Sequence, residues 1–310
     1  MDILSATTQA KPQYGIIINV SDVMLPLEVH GRTELEIGFG NGEYTVQYAE
    51  LHPETFFYGV EISQSCVLKC ARRAAGLQNL RIINTDARFM LRELFTDESL
   101  DRILMQFPCP WSKNSDSHRR VTAKDFSDGL AAVLKVSGIF EMLTDDEAYS
   151  IEVRDVLGSH EALELCGYEV NPSRTITTKY ERKWLEEGKN IYRLTFRKTK
   201  PFTAGRRTSQ DMHIKIKHDV TAEDIASLRN VSGKDEKSFW KFGRCFTGES
   251  AYLLETLTSD DEFEQKFYIH IAPRDDGYFL LRLDKSANAF LTPAVRGALN
   301  DAAQRLAHTA

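Results

Sequence analysis

The chain has no stretch approaching the roughly 18 consecutive apolar residues that a helix needs to span a bilayer, so no membrane role is expected. Its first residues, Met1-Asp2-Ile3-Leu4-Ser5, lack the basic start and long apolar run of a secretory signal. Cysteine is sparse, and Cys66, Cys70, Cys109, Cys166 and Cys245 show no C-x-x-C spacing. That argues against a disulfide framework and suits a reducing cytoplasm. Cys66 and Cys70, one helical turn apart, read as packing residues. His213, His218 and His270 show no metal-ligand spacing, so no metal is expected. Basic excess is missing too: 39 Lys and Arg face 45 Asp and Glu, for a net charge of −6. Only the distribution of charge can therefore point to nucleic acid. Two phosphate signatures are also absent, the dinucleotide G-x-G-x-x-G and the triphosphate G-K-[ST].

What is present begins at residues 33–42, Thr-Glu-Leu-Glu-Ile-Gly-Phe-Gly-Asn-Gly. A short apolar strand runs into glycines at alternate positions, Gly38, Gly40 and Gly42, and a helix-forming segment (43–51) follows. Such a turn lets a ligand lie against bare backbone. A second strand, 55–60, ends at Glu61, about twenty residues on, where an acidic side chain accepts ribose hydroxyls. A third, 80–84, leads to Asp86, placed to read an adenine edge. Glu36, on the approach to the loop, would repel a phosphate but suits a cationic sulfonium. Acidic residues at three successive strand ends beside a glycine turn point to S-adenosyl-L-methionine.

The fourth strand, 101–107, runs into Phe107-Pro108-Cys109-Pro110-Trp111-Ser112-Lys113 and then His118-Arg119-Arg120. A fifth (138–143) precedes Thr144-Asp145, and Thr178-Lys179-Tyr180-Glu181 precedes a last strand at 191–197. With Glu36–Gly42, these four motifs resemble, in order, those of the tRNA (guanine-N7)-methyltransferase family, over roughly residues 30–200. The resemblance implies an α/β, doubly wound, Rossmann-like sheet that takes S-adenosyl-L-methionine and methylates N7 of a tRNA guanine, position 46 in the variable loop. It assigns Glu36, Gly38, Gly40, Glu61 and Asp86 to the cofactor, with Cys109 also at a cofactor and catalytic position. Lys113, Asp145, Thr178, Lys179, Tyr180 and Glu181 fall at substrate positions, and His118, Arg119 and Arg120 on RNA phosphates. From Arg174 to Lys200, nine Lys and Arg face three Glu, a local excess beside the substrate segment.

Cys109 departs from the pattern, because the family carries Asp between the two prolines and gives it the catalytic role. Guanine N7 already has an exposed lone pair, so methylation there needs no base. Three readings follow: a small residue that positioning catalysis tolerates, a tRNA-binding protein that has lost its chemistry, or a thiolate nucleophile acting on cytosine.

Strand and helix alternate from residue 33 to 196, which indicates a parallel sheet with a late antiparallel strand. Helices are expected near 43–51, 63–76, 87–94, 126–134 and 147–166, with Gly76 and Gly167 as C-caps. Residues 1–30 read as an N-terminal arm or a short strand packing on the next unit, 31–200 as the methyltransferase domain and 201–210 as a linker. Residues 211–310 read as a smaller α+β domain in which Trp240, Phe242, Phe246 and Phe267 fill the core of an antiparallel sheet. The pattern leaves the oligomeric state open.

Overall fold

The computed structural model describes residues 15–20, 23–29, 31–110, 120–206, 212–217, 219–249, 251–260, 263–284 and 289–307, without the side chains of Lys179 and Tyr180. The chain divides into two compact units, the first ending at Gly205 and the second beginning at Arg206.

The first unit alternates strand and helix: β1 (Ile17–Ile18), β2 (Thr33–Ile37), α1 (Glu43–Leu51), β3 (Phe56–Glu61), α2 (Gln64–Arg73), β4 (Leu80–Asn84), α3 (Ala87–Leu94) and β5 (Leu100–Gln106). It continues with α4 (Lys124–Val133), β6 (Leu134–Thr144), α5 (Glu147–Gly158), β7 (Leu163–Val170), α6 (Lys179–Glu186) and β8 (Tyr192–Lys198). The eight strands lie in the order β1-β4-β3-β2-β5-β6-β8-β7. The first six in this order pair in parallel, and β8 is antiparallel to both β6 and the edge strand β7. Central strands are covered on both faces, as parallel sheets require; Leu80, Ile82, Ile83, Ile103 and Phe140 are fully buried.

β2 is buried throughout although it carries two glutamates. A buried carboxylate needs partners. Glu34 has Arg32 at 2.8 Å and Arg102 at 3.1 Å, and Arg102 reaches on to Glu141 at 3.3 Å. Arg102 also lies 5.3 Å from the Tyr48 ring centre, so the apolar face of α1 closes over the ion network.

One expected element breaks early. The helix read over 147–166 stops at Gly158, and Leu163–Val170 is instead the edge strand β7, paired with β8 from Leu163↔Lys198 to Val170↔Tyr192. Glu161–Leu165 is a helix-favouring run, and tertiary pairing overrides that weak preference. Gly167 is therefore no C-cap. It sits in β7 beside a register irregularity, where an added Cβ would lie 3.4 Å from Thr195 Cβ.

The second unit comprises β9 (His213–Ile216), α7 (Ala222–Ser227), β10 (Ser232–Lys234), β11 (Ser238–Thr247), β12 (Tyr252–Asp260), β13 (Phe263–Pro273), β14 (Phe279–Leu283) and α8 (Pro293–Ala307). Its sheet is antiparallel, in the order β10-β11-β12-β13-β14-β9. Phe242, Leu254, Phe267, Ile269 and Leu281 meet Val295, Leu299 and Leu306 of α8 in one core. Trp240 is half-buried, donating its indole N–H to Asp301 at 2.9 Å, whereas Phe246 is exposed and leaves the expected core set. Among the described residues, no helix is long and apolar enough to cross a membrane, and no cluster of three or more His, Cys, Asp or Glu could hold a metal ion.

Candidate active site

Strand order reverses between β2 and β5, which places a crevice at the carboxyl ends of those strands. The loop leaving β2 takes left-handed φ at Gly38 (73°), Gly40 (55°) and Gly42 (74°), conformations that favour glycine. The three differ in purpose. A Cβ at Gly38 or Gly40 would meet nothing within 4 Å, so those backbones face open space; at Gly42 it would lie 2.3 Å from Cys70 Sγ, so that glycine lets α2 approach.

Glu61 ends β3 beside this loop. Its Oε2 accepts the Gly40 N–H at 3.0 Å and its Oε1 accepts the Ser63 N–H at 2.8 Å. A carboxylate accepts about four hydrogen bonds. Glu61 is thus aimed by two amides and keeps capacity for two hydroxyls, as a ribose diol needs. Asn84 fixes the same tip by donating to the carbonyls of Glu61 (2.8 Å) and Ile62 (3.0 Å). Ile62 stands 66% exposed next to it. A lone isoleucine at a strand tip gave no signal in the sequence, yet it offers an apolar surface for a purine face. Open backbone, aimed carboxylate and exposed apolar side chain fit an adenosine moiety.

The other two acidic residues are more committed. Asp86 caps α3 by accepting the Arg88 N–H at 3.0 Å, and its carboxylate pairs with the Arg88 guanidinium. Glu36 is 4% exposed, accepting from Thr45 Oγ1 and, at 2.7 Å, from Gln106 Nε2. Burial raises its carboxyl above the usual range, opposed by those two hydrogen bonds. Glu36 therefore anchors the base of the glycine loop across the β2–β5 switch point, turned toward its partners rather than toward open space.

Gln106 carries the network further. Its Oε1 accepts from Arg174 Nη2 at 2.6 Å, while Arg174 Nη1 pairs with Glu181. The Arg174 side chain is only 6% exposed and lies over the Tyr44 ring, 5.3 Å from its centre. A continuous polar path thus joins Thr45, Glu36, Gln106, Arg174 and Glu181. Neither Gln106 nor Arg174 was singled out in the sequence, since an amide after an apolar strand and one arginine in a basic run carry no motif.

The Thr178–Glu181 segment opens α6 with a capping box: Thr178 accepts from the Glu181 N–H at 3.1 Å, and Glu181 accepts from the Thr178 N–H at 3.3 Å. The T-x-x-E spacing thus has a local cause, two orphan amides satisfied reciprocally. Arg182 pairs with Glu43 at 2.8 Å, tying α6 to the start of α1. Asp145, after β6, pairs with Lys189 at 2.8 Å. Phe107 leaves β5 with φ 51° and packs its ring 4.7 Å from that of Trp184.

Cys109 is exposed, with a free thiol. Arg120 pairs with Glu152 of α5 at 2.7 Å and its side chain is 13% exposed, so it supports α5 rather than standing free for phosphate. Lys113, His118 and Arg119 lie outside the described residues, as do the side chains of Lys179 and Tyr180.

Residues 31–194 match the family profile described as "Putative methyltransferase". A tRNA (guanine-N(7)-)-methyltransferase of Thermotoga maritima is 36% identical over 88% of this chain and 89% of its own length. The chain belongs to the tRNA (guanine-N7)-methyltransferase family. A relative of the same name from Aquifex aeolicus is 30% identical over 85% of this chain and 90% of its own, and one from Thermus thermophilus 28% over 89% of each. A solved antibiotic-related methyltransferase aligns with TM-score 0.41 and 15% identity, covering 57% of this chain and 98% of that one. In this tRNA (guanine-N7)-methyltransferase family member, the similarity to the first relatives extends across both units.

Proposed function

We propose that this chain transfers a methyl group from S-adenosyl-L-methionine to N7 of a guanine in tRNA, the variable-loop guanine at position 46. The observation that carries the reading is the β3 tip, where Glu61 is aimed by Gly40 and Ser63 beside exposed Ile62 and an open glycine loop, in a chain of this family. S-adenosyl-L-methionine supplies a methyl carbon bonded to cationic sulfur. Guanine N7 carries its own lone pair, so accepting that methyl group would require no proton to be removed and no base from this chain. Glu61 accepts the ribose hydroxyls, and Ile62 covers the adenine face. Gly38 and Gly40 admit the ligand to the backbone, with Asp86 at the adenine rim. Glu36 holds the loop rigid beneath the methionine end. Asp145, Lys179, Tyr180 and the Thr178–Glu181 helix start frame the guanine; Lys113, His118 and Arg119 meet phosphate. Alignment of donor and acceptor supplies the rate, with about 7–11 kcal/mol available from positioning, and Cys109 leaves room between Pro108 and Pro110.

The same reading assigns residues 31–200 as the methyltransferase domain, 1–30 as an arm, 201–210 as a linker and 211–310 as an appended domain, working in the cytoplasm on tRNA. The test is methyl transfer from labelled S-adenosyl-L-methionine to unmodified bulk tRNA, with nucleoside mass spectrometry, for wild type, Cys109→Ala and Cys109→Asp. 7-Methylguanosine from wild type, largely retained in Cys109→Ala, is the expected result. 5-Methylcytidine abolished by Cys109→Ala would replace guanine with cytosine and make Cys109 the nucleophile. Cofactor and tRNA binding without product would make the chain a binder only.

A further inference from the structure

The six-stranded sheet of the second unit is covered by α7 and α8 on one face, where the core lies. Among the described residues no helix of this unit covers its other face, and side chains of directly paired residues share a face. The register therefore defines rows across the open side. One row runs Phe246, Leu253, His270, Arg282, His213 over five strands. A second runs Lys241, Leu257, Lys266. Glu255 and Tyr268 pair in a third. Phe239, Phe246 and Leu257 are each about two-fifths exposed on this face (41%, 40% and 40%).

The arrangement depends on a β-bulge. Register shifts between Phe242 and Cys245, so two residues of β11, Gly243 and Arg244, stand against the single residue Glu255, one more than a regular ladder holds. Without that shift, odd-numbered Phe239 and even-numbered Phe246 would point to opposite faces. With it, both aromatics reach the open side, and Cys245 turns toward the core. Arg244, at the bulge, lies 5.2 Å over the Phe246 ring, and Tyr268 meets the same ring edge-on at 5.9 Å.

We propose that this open face is a docking surface for the tRNA substrate, with Phe246, Tyr268 and Phe239 offering stacking planes and Lys241, Lys266, Arg244 and Arg282 meeting phosphates. The proposal rests on tRNA being the substrate. Exposed aromatics interleaved with cations on a sheet match the chemistry of unpaired nucleotides, where base stacking is sequence-tolerant and the backbone is anionic. By the same register Lys234 and Lys215 also stand on this side, so among the described residues six cations share it with the carboxylates Glu255 and Glu264. Asp276 pairs with Lys215 at 3.0 Å and Asp284 acts on His270. The whole protein carries −6. Glu255 sits between Arg244 (3.2 Å) and Lys266 (2.7 Å), aligning both while cancelling one charge. Lys241 has no ion-pair partner among the described residues. A second copy of the same face is a poor occupant, since like charges would meet across an isologous contact.

The test uses the full chain: wild type, the double variant Lys241→Gln/Lys266→Gln, and Phe246→Ala. Filter binding of unmodified tRNA is measured across a salt series, alongside cofactor titration, melting temperature and sedimentation. The double variant is expected to bind tRNA about ten-fold more weakly, with the slope of log K against log salt reduced by about two, since each phosphate contact contributes roughly 0.9. Phe246→Ala is expected to lose about ten-fold with the slope unchanged, as loss of one stacked base does. Melting temperature and cofactor affinity should stay put, and KM for tRNA should rise with Kd. Unchanged tRNA affinity and slope in both variants would overturn the proposal. So would a wild-type dimer that the double variant dissolves, which would make the face a self-interface. Binding is read without turnover, so the two readings separate. Wild type that binds tRNA through this face but never methylates it overturns the activity and keeps the surface. Methylation at wild-type KM in both variants does the reverse.

Discussion

Glu36 is a carboxylate removed from water, and its environment sets a direction for pH dependence. Burial raises its pKa above the ordinary 4.5, and the bonds from Thr45 and Gln106 only partly offset this. A folded-state pKa above the unfolded one gives a contribution that is fully present below the ordinary value and lost as pH rises through the raised one. Glu36→Gln keeps the shape and cannot ionise. The variant should therefore gain stability relative to wild type as pH climbs from about 4.5, at about 1.4 kcal/mol per unit of pKa difference. Urea denaturation of both proteins at stepped pH checks this, and a pH-independent difference would contradict it. Arg174 presents the opposite case, a buried cation shared by Gln106 and Glu181. Removing one partner of a buried pair leaves the other charge uncompensated, at about 3–5 kcal/mol. Arg174→Ala should lose that much by denaturant titration, and Arg174→Lys less, because an ammonium keeps the charge but not the two-armed geometry. A loss in Arg174→Ala below about 1 kcal/mol would place the pair in effective contact with water.

At the scale of elements, Trp240 shows how a helix can be limited by the sheet under it. An added Cβ on Gly297 of α8 would lie 2.4 Å from Trp240 Cζ3, and the indole cannot retreat freely because Asp301 holds its N–H. Alanine improves helix propensity by about 1 kcal/mol over glycine, while overpacking costs about 1–3 kcal/mol. The clash should win, so Gly297→Ala lowers the urea midpoint; a raised midpoint would mean that the indole moves. The glycine loop, Glu61 and the β2–α3 elements were legible in the sequence because strand, turn and helix follow one another within a few residues. The edge strand β7 was not, because the local run from Glu161 to Leu165 favours helix and only pairing with β8 decides it. Neither was the face of Phe246, since a bulge changes parity without marking the composition. Motif spacing singled out Thr178 and Glu181 but not Arg174, the partner of Glu181, which reaches that carboxylate only in the folded chain. The capping box gives Thr178→Ala a cost of about 1 kcal/mol, and a substrate contact would add a rise in KM for tRNA beyond it.

Across the whole molecule, binding of a polyanion has to overcome a net charge of −6 and a pI near 5.8. Two accounts of that binding make different predictions. If overall charge governs, bringing the protein from pH 8 to pH 6 should strengthen tRNA binding strongly as the net charge approaches zero. If local cations govern, pH in this range matters less, because Lys and Arg keep their charge throughout. Burial together with Arg282 also lowers the pKa of His270, leaving His213 as the other imidazole in the row. The structure favours the local account. The basic excess read over Arg174–Lys200 is largely spent within the fold, since Arg174 and Lys198 are buried and Arg182, Lys183, Lys189, Arg193 and Lys200 are ion-paired. The local cations are those of the open sheet of the second unit, Lys241, Arg244, Lys266 and Arg282. With about five phosphate contacts, affinity should fall by about 10²–10³ between 50 and 200 mM salt. Between pH 6 and pH 8 at fixed salt it should change by less than about ten-fold. Both are read from one filter-binding matrix of pH against salt with wild-type protein and unmodified tRNA. A pH effect as large as the salt effect would show that the net field outweighs the patches. A flat salt response would mean that phosphate contacts contribute little, leaving base stacking and guanine recognition to hold the RNA.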